Sequence, residues 1–280
     1  MSKLHLAVLA LLFSFACPCT FAVDDAPTAK DDPKAAKADE KEESDDEIPP
    51  GLTHYMGREI AQTMHFAGAP WLTRESRERE EDCTTMLKML KLKAGMNVCD
   101  LGAGNGFYTL PMAKAVLPEG KVYAVEIQRE MLRFLKKRAD AAKVENIEYV
   151  LGSLIDPKLP DNSQDIILLV DVYHEFSHPE HMLKAIRKAL KPDGRLVLVE
   201  FRAEDPKVPI KPLHKMSKKQ VNAELTANGF KLAEEFDKLP WQHMMFFQRD
   251  EGDKKDDAKK DAKKDAKKDA KTDAKTEEEK

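Results

Sequence analysis

A glycine-rich segment near the middle of the chain has the residue types of a ligand-binding loop. Residues 100–106 read DLGAGNG, between a short apolar run and a helical pattern. Glycines permit sharp turns and let a ligand approach the backbone closely. A glycine-rich loop alone is weak evidence, but its place between a predicted strand and a predicted helix makes it a strong candidate. The expected ligand lies outside the carboxyl ends of the strands.

Glu126 is the second candidate, because it ends the next apolar run, 22 residues after Gly104. A carboxylate at this place can accept hydrogen bonds from both hydroxyls of a ribose. The glycine spacing is G-x-G-x-G, which differs from the G-x-G-x-x-G of dinucleotide sites. Asp100 also places a negative charge where a pyrophosphate would be repelled. A cationic ligand would tolerate that charge, so the loop favours such a ligand over a nicotinamide dinucleotide.

The segment His174-Glu175-Phe176-Ser177-His178 matches H-E-x-x-H, the helical zinc motif of metalloproteases. It follows a buried apolar run, and Pro179 disfavours helical backbone at His178. A loop with Ser177 or His178 capping the next helix explains the segment better, so we expect no metal here. Such a loop opens onto the ligand cleft in a parallel sheet, which makes His174 and Glu175 the candidate catalytic residues.

Short apolar runs alternate with helical patterns over residues 97–201, which predicts a parallel sheet with right-handed crossovers. The predicted strands are Asn97–Leu101, Val122–Ile127, Ile147–Leu151, Asp165–Val170 and Arg195–Phe201. The predicted helices are Gly106–Val116, Glu130–Ala142 and Pro179–Leu190, and Pro192–Gly194 is a predicted turn. A further helix at Ser217–Asn228 precedes two strands, Phe230–Leu239 and Trp241–Arg249, which can form a terminal antiparallel pair.

These residues resemble the class I S-adenosylmethionine-dependent methyltransferases. VCDLGAGNGFYTL is similar to that family's first motif, and VYAVEI to its ribose-binding strand end. DIILLVDVYHEF resembles its fourth strand, and LKAIRKALKPDGRLVLVEF resembles the helix, turn and fifth strand of its small-molecule members. The resemblance covers about residues 85–249. It implies an α/β, Rossmann-like, doubly wound fold with a seven-stranded, mostly parallel sheet and a C-terminal antiparallel pair.

The resemblance also implies S-adenosyl-L-methionine as the cofactor and a small-molecule methyl acceptor. The loop glycines would face the methionine part of the cofactor, Glu126 its ribose, and residues 152–154 its adenine. Ser153 stands where many relatives carry an acid that binds the adenine amino group, and Asp171 would border the sulfonium. The implied cofactor-binding residues are Asp100, Gly102, Ala103, Gly104, Gly106, Glu126, Ile127, Ser153, Leu154 and Asp171.

Two segments outside the motifs are candidates for acceptor binding. In related enzymes an N-terminal segment often covers the substrate pocket, and substrate loops commonly follow the fifth strand. Packing over the edge of the sheet explains the first segment equally well, and a polar surface loop explains the second. The first has Tyr55, Met56, Arg58, His65 and Trp71, and the second has Pro209, Lys211, Pro212, His214 and Lys215. Cys99 lies inside a predicted strand and is expected in the core.

Charge and composition separate the ends of the chain from its centre. Residues 24–50 hold 11 acidic residues and four lysines, and residues 251–280 hold 11 of each sign. The 200 residues between them carry a net charge of only +2, which excludes a strongly basic nucleic-acid footprint. We expect a disordered acidic linker at 23–50, a methyltransferase domain at 51–250 and a disordered Lys/Asp/Ala repeat tail at 251–280. The oligomeric state stays open.

The first 22 residues have the pattern of a signal peptide. Lys3 precedes an apolar run over residues 4–16 that is too short to span a bilayer, and Thr20-Phe21-Ala22 is a suitable cleavage site. The pattern predicts export with no membrane span in the mature chain; a lipid anchor at Cys17 is a minor alternative. Export conflicts with the synthesis of S-adenosylmethionine inside cells. The alternative functions are an exported binding module without catalysis and an NAD(P)-dependent oxidoreductase.

Overall fold

The structure of the protein is a computed structural model that describes residues 48–253. The predicted signal peptide, nearly all of the acidic linker and nearly all of the repeat tail lie outside these residues. Among residues 48–253 there is no helix with the length and apolar character that crossing a bilayer requires.

Seven strands form one sheet in the order β3-β2-β1-β4-β5-β7-β6. Every neighbouring pair is parallel except those that β7 makes with β5 and β6, so the predicted fold class, including its terminal antiparallel pair, is confirmed. The strands are β1 Asn97–Leu101, β2 Lys121–Glu126, β3 Ile147–Leu151, β4 Gln164–Val170, β5 Leu190–Phe201, β6 Phe230–Phe236 and β7 Gln242–Arg249.

Six α-helices accompany the sheet in the described part of the chain. They are α1 Arg77–Glu81, α2 Cys83–Met89, α3 Thr109–Ala115, α4 Arg129–Ala142, α5 Pro179–Ala189 and α6 Lys218–Ala227. Short 3-10 helices occur at Phe66–Thr73, Tyr173–Glu175, Pro212–His214 and Glu251–Asp253. The residues before the sheet also form a two-stranded ribbon of His54–Tyr55 with Arg58–Glu59.

The core has two layers because both faces of the sheet are covered. Val98 packs on one face with Met112 of α3 and Leu135 of α4, whereas the next residue, Cys99, packs on the other face with Ile186 of α5. Successive side chains of a strand point to opposite faces, so a strand covered on both sides is apolar at most of its positions. Cys99 is therefore a core residue, as its place in the strand predicted.

Two local predictions differ from the structure. Helix α3 begins at Thr109 and not at residue 106, because the glycines of the preceding loop have positive φ angles that a helix cannot contain. Residues 192–194 lie within β5 and do not form a separate turn. Only one residue of β4 lies between the partners of Leu190 and Arg195, so the extra residues of β5 form a bulge.

Candidate active site

A cavity of about 630 Å³ lies at the carboxyl ends of the central strands. Its wall includes the last residue of four of these strands: Leu101 of β1, Glu126 of β2, Val170 of β4 and Phe201 of β5. Open α/β sheets bind ligands at this edge, and small-molecule sites have volumes of roughly 300–1,000 Å³. The position and size of the cavity are those of a small-molecule site.

The glycine loop brings its backbone to this wall. The amides of Gly102 and Ala103 both donate to the carbonyl oxygen of Val125, at 2.9 and 3.0 Å, which ties the loop to β2. Gly102 has a φ of +77°, and a Cβ there would lie 2.5 Å from a methyl carbon of Val172. Glycine is required here because it adopts this φ readily and has no Cβ to collide with Val172. Gly102 and Gly104 line the cavity, whereas Ala103 and Gly106 lie behind the wall.

Glu126 holds the loop as well as facing the cavity. Its Oε2 accepts a hydrogen bond from the Gly104 amide at 3.0 Å, and its Oε1 accepts from Ile127 and Gln128 at 2.8 and 3.0 Å. Burial raises the pKa of Glu126, although these N–H donors favour its charged form and partly offset the rise. Oε2 has one protein donor and keeps capacity for a ribose hydroxyl.

Asp100 lies deeper than the sequence pattern suggests. It is buried, accepts a hydrogen bond from the Thr109 hydroxyl at 2.5 Å and does not line the cavity among the described residues. Burial raises its pKa to about 6, although the bond from Thr109 opposes the rise. Asp100 thus supports the loop from behind and carries a latent negative charge close to the ligand site.

Asp171 provides a buried acceptor that lacks a partner. Its Oδ2 accepts from Gln242 at 2.8 Å, but its Oδ1 has no hydrogen-bond partner within residues 48–253. Burial raises the pKa of Asp171, and the carboxylates of Glu81 and Glu200 add to the rise while Arg77 opposes it. Asp171 lines the cavity, so a cationic ligand there would reduce this repulsion, and the site fits a sulfonium with an ammonium group.

The predicted adenine loop lies at the rim. Ser153 and Leu154 line the cavity, and Ile127 lines it beside Glu126. The Ser153 hydroxyl accepts from the amide of Asp156 at 3.0 Å and thereby closes the loop's own turn. That hydroxyl is therefore engaged within the turn. Leu154 is 40% exposed and Ile127 is 37% exposed, which leaves both side chains free to cover an adenine ring.

The two histidines of the H-E-x-x-H segment do not share a site. His174 and Glu175 lie on the 3-10 turn and line the cavity, but His178 Nε2 lies 2.7 Å from the Pro49 carbonyl oxygen and Nδ1 lies 2.9 Å from the Ser177 hydroxyl. His178 immediately precedes α5, as the pattern predicted, although its side chain makes no capping hydrogen bond. The H-E-x-x-H pair is therefore not a zinc-binding pair.

His174 is held between a carboxylate and a second imidazole. Its Nδ1 donates to Glu200 Oε2 at 2.6 Å, and its Nε2 lies 3.1 Å from His214 Nδ1. Burial disfavours the imidazolium, but the Glu200 carboxylate outweighs this and raises the pKa of His174. Burial raises the pKa of Glu175 to about 7, against the opposing effect of His174. The carboxyl ends of β4 and β5 thus supply a buried acid–base cluster.

The segment before the sheet forms part of the cavity wall. Trp71 and Leu72 line the cavity, and so does Met64, whose amide donates to Glu175 Oε1 at 3.2 Å. Gln128 joins this segment to β2, because its Oε1 accepts from the Phe66 amide at 2.8 Å and its Nε2 donates to the Met64 carbonyl oxygen at 2.9 Å. The interpretation of this segment as a pocket cover is thereby favoured over edge packing.

The same segment is anchored farther away by a buried ion pair. Arg58 donates to both carboxylate oxygens of Glu224 on α6, at 2.7 and 3.1 Å, and to the His174 carbonyl oxygen at 3.0 Å. Glu224 also accepts from the Tyr173 hydroxyl at 2.7 Å. The ribbon, α6 and the His174 turn are therefore fixed together behind the cavity.

The loop after β5 contributes a second part of the wall. Pro209, Lys211 and His214 line the cavity, whereas Lys215 Nζ turns back to the Val208 carbonyl oxygen at 2.5 Å. Sequence reasoning missed Gln128, Glu200 and Met64 as site residues. Glu200 lies near the end of an apolar strand that was predicted, so its position carried a signal. The Gln128 side chain and the Met64 amide make contacts that no sequence pattern marks.

Comparison with known proteins decides the family. A model of a methyltransferase domain family matches residues 92–268, which is more than half of the chain. The chain belongs to this methyltransferase domain family. The matched region begins just before β1, so it contains the glycine loop, Glu126 and the acid–base cluster but not the segment that covers the cavity.

Several named proteins are similar over part of the chain. A demethylmenaquinone methyltransferase of Listeria welshimeri is 25% identical over 123 residues, which are 44% of this chain and 51% of that protein. An uncharacterized methyltransferase of Bacillus subtilis is 32% identical over 127 residues, 45% of this chain and 49% of that protein. The chain thus spans about half the length of the curated relatives it matches.

A solved structure covers a larger share. A SAM-dependent methyltransferase from Aquifex aeolicus is 26% identical, covers 67% of this chain and 100% of its own, and superposes with a TM-score of 0.63. A Pyrococcus horikoshii protein is 18% identical, covers 63% of this chain and 92% of its own, and has a TM-score of 0.53. At this identity the similarity shows the fold alone. The family and the Aquifex structure support S-adenosylmethionine as the cofactor, in agreement with the sequence prediction.

Proposed function

We propose that the protein is an S-adenosylmethionine-dependent methyltransferase that acts on a small-molecule acceptor. The observation that carries the proposal is one shared cavity. Its wall joins Gly102 and Gly104 of the loop, Glu126 and Asp171 at the carboxyl ends of β1, β2 and β4. These groups match a ligand with a ribose and a positively charged amino acid part.

The cofactor, when bound, would supply an electrophilic methyl group on its sulfonium. The sulfur is a good leaving group because it departs as a neutral thioether. The residues of the chain bind and orient the cofactor and the acceptor. Glu126 would accept hydrogen bonds from the ribose hydroxyls, the charge of Asp171 would favour the cationic part, and Leu154 and Ile127 would cover the adenine. The loop amides hold Glu126 in place, so the acceptor of the ribose hydrogen bonds is positioned before the ligand arrives.

Methyl transfer then depends mainly on alignment and on the exclusion of water. Trp71, Leu72 and Met64 of the N-terminal segment line the cavity and would shield part of the acceptor from bulk solvent. His174 and Glu175 are the polar groups placed to bind the acceptor or to take its proton, if the acceptor is acidic enough to need a base. His174 and Glu175 lie on one short turn, and contacts with Glu200 and with the Met64 amide hold them there.

The acceptor that fits best is a compact molecule with an apolar ring and a polar group. Apolar side chains such as Trp71, Leu72, Ile210 and Phe201 form much of the wall, whereas His174, Glu175 and His214 supply polar atoms at one end. Relatives from Listeria and Pseudomonas carry names that refer to demethylmenaquinone and to ubiquinone and menaquinone biosynthesis. We therefore propose a hydroxylated or quinone-like ring as the first acceptor class to test.

We further propose that the protein acts outside the cytoplasm, on the strength of the signal-peptide pattern in residues 1–22. Fractionation of the native host with an antibody to the chain tests this. Recovery of a shortened chain in the exported fraction supports export, and an uncleaved chain in the cytoplasm refutes it.

The cofactor assignment is tested by calorimetry with S-adenosylhomocysteine and, separately, with NADH and NADPH. We expect saturable binding of S-adenosylhomocysteine only. Activity is then followed as transfer of an isotopically labelled methyl group to a panel of hydroxylated ring compounds. Binding without transfer to any acceptor would favour the binding module, and binding of a nicotinamide cofactor instead would favour the oxidoreductase.

A further inference from the structure

Three potential metal ligands from two separate segments meet at one end of the cavity. His174 and Glu175 lie on the turn after β4, and His214 lies on the 3-10 turn Pro212–His214 after β5. One donor atom of each residue can be chosen so that all three atoms lie within 4.8 Å of one another. His174 Nε2 is 3.1 Å from His214 Nδ1 and 4.0 Å from Glu175 Oε1.

We propose that His174, Glu175 and His214 bind a divalent transition-metal ion of the zinc type in the cavity. Two imidazoles and one carboxylate are the protein ligands of several catalytic zinc sites, in which a fourth position stays open. With metal–ligand bonds of about 2.0–2.1 Å, ligands of a tetrahedral ion lie about 3.3 Å apart. The separations of 3.1 and 4.0 Å lie on either side of this value, so small side-chain movements would complete the site.

The surroundings of His174 are those of a metal-bound histidine. A histidine that binds a metal through one ring nitrogen usually donates its other N–H to a carboxylate, which fixes the ring and strengthens the ligand. Glu200 has this position: it is fully buried, its Oε2 accepts from His174 Nδ1, and its Oε1 accepts from the Tyr173 amide at 3.0 Å. His174 Nε2 is thereby directed toward His214 and the cavity.

Local charge also favours a cation at this place. Glu175 and Glu200 contribute two carboxylates around two imidazoles, and a divalent ion would balance them. Of the neighbouring cations, Arg58 is paired with Glu224 in a two-bond contact. Lys211 lines the same cavity near His214, and its charge opposes metal binding, as the charge of Arg58 does at His174.

This site differs from the one that the H-E-x-x-H letters suggest. His178 points away to Pro49 and Ser177, and His214, 40 residues after His174, takes the place of the second histidine. An ion at this site would have a free position toward the cavity, where an oxygen of a hydroxylated ring could bind and lose its proton more easily. This use in methyl transfer rests on the proposed function, whereas metal binding itself does not.

The test is metal binding by the full chain, prepared without a polyhistidine tag and treated with a chelator. We expect calorimetry to show one equivalent of Zn²⁺ bound, and Co²⁺ to give a visible absorption band of a low-coordinate site. His214→Ala and Glu175→Gln should each weaken Zn²⁺ binding at least tenfold, and Glu200→Gln about 10–100-fold. His178→Ala and His181→Ala are matched controls and should change the Kd less than twofold.

Binding of S-adenosylhomocysteine by every variant checks that the fold is intact and separates the two proposals. Metal binding without S-adenosylhomocysteine binding would overturn the proposed function and leave the metal site standing. S-adenosylhomocysteine binding with no Zn²⁺ bound, or with equal Zn²⁺ affinity in His214→Ala and the parent, would overturn the metal site. The cluster would then be a hydrogen-bonded imidazole pair that serves the acceptor directly.

Discussion

The buried carboxylates around the cavity have separate tasks that their contacts make visible. Glu126 accepts from three backbone amides and faces the ligand, Asp171 keeps one oxygen without a partner, and Asp100 supports the loop from behind. Grouping several acids in a space with little water is unfavourable unless a cation joins them. At the scale of single residues, the site is therefore incomplete without a positively charged ligand.

Substitution of Glu126 tests the ribose contact. We expect Glu126→Ala to weaken S-adenosylhomocysteine binding by about 1–3 kcal/mol, because the ribose hydroxyls and the Gly104 amide lose their acceptor. Calorimetry on the variant and on Glu148→Ala measures this, where Glu148 is an exposed acid on the neighbouring strand. Unchanged affinity in Glu126→Ala would contradict the assignment, and unchanged affinity is the expected result for the control.

Asp100 should make stability depend on pH. Burial raises its pKa from the usual 3.8 to about 6, so the folded state binds its proton more tightly than the unfolded state does. Its contribution is fully present below about pH 4 and is lost as the pH rises to about 6, a change of up to about 3 kcal/mol. Asp100→Asn keeps an acceptor for Thr109 and removes this dependence.

Urea denaturation between pH 4 and pH 8 measures the effect of Asp100. We expect the variant to gain stability relative to the parent as the pH rises through this range. Asp193→Asn, at an exposed position, serves as the control and should show a constant difference. A constant difference for Asp100→Asn as well would mean that this carboxyl is not perturbed in the folded chain.

At the scale of elements, the turn from β1 into α3 depends on contact with α4. Gly106 has a φ of +81°, and a Cβ there would lie 2.6 Å from Leu135 Cγ; Gly95 has nearly the same φ, +83°, with nothing within 4 Å. Alanine at either position pays the same backbone cost, roughly 1–2 kcal/mol. We expect Gly106→Ala to lose about 1–3 kcal/mol more, because it also overpacks the core.

The free energy of unfolding of the two alanine variants, from urea titrations, decides the point. Equal losses would show that α4 moves aside without cost and that Gly106 is required for its conformation alone. A larger loss for Gly106→Ala, with cofactor binding weakened in parallel, would show that the loop and α4 form one packed unit.

The strands of the sheet were predictable because they are short, mainly apolar runs, although β3 at the edge exposes Glu148 and β1 contains the buried Asp100. Asn97–Leu101 and Ile147–Leu151 have the predicted bounds, and the other parallel strands differ only at their ends. The glycine loop and Glu126 were predictable because their spacing reflects backbone geometry. The bulge in β5 was not predictable. It depends on how β5 pairs with β4, and residues 192–194 alone read as an ordinary turn.

The approach of His214 to His174 was unpredictable for a related reason. Forty residues separate the two, and they meet because the turns after β4 and β5 lie side by side at one edge of the sheet. The sequence placed both turns at that edge but gave no distance between particular side chains. The H-E-x-x-H pattern pairs His178 with His174, but the chain changes direction at the start of α5 and separates the two side chains.

At the scale of the whole molecule, composition divides the chain into a central part and two highly charged ends. We expect limited proteolysis to remove residues 23–50 and 251–280 and to leave a stable fragment near 51–250. The Leu52 amide donates to the Ser177 carbonyl oxygen at 2.9 Å, so N-terminal cleavage should stop before that contact. Mass spectrometry identifies the fragment, and a tail that resists digestion would refute the assignment of the ends.

The segment that covers the cavity and the glycine loop differ in their relation to the methyltransferase domain family. Met64, Trp71 and Leu72 come from chain that precedes the matched family region, whereas the glycine loop and Glu126 lie inside it. The first segment also touches the loop, because Asn105 donates to the Ala69 carbonyl oxygen at 2.9 Å, but most of its cavity-lining side chains lie away from Glu126 in the sequence. If the proposed function holds, we expect acceptor choice to change first through residues 48–73, and engineering of the pocket should begin there.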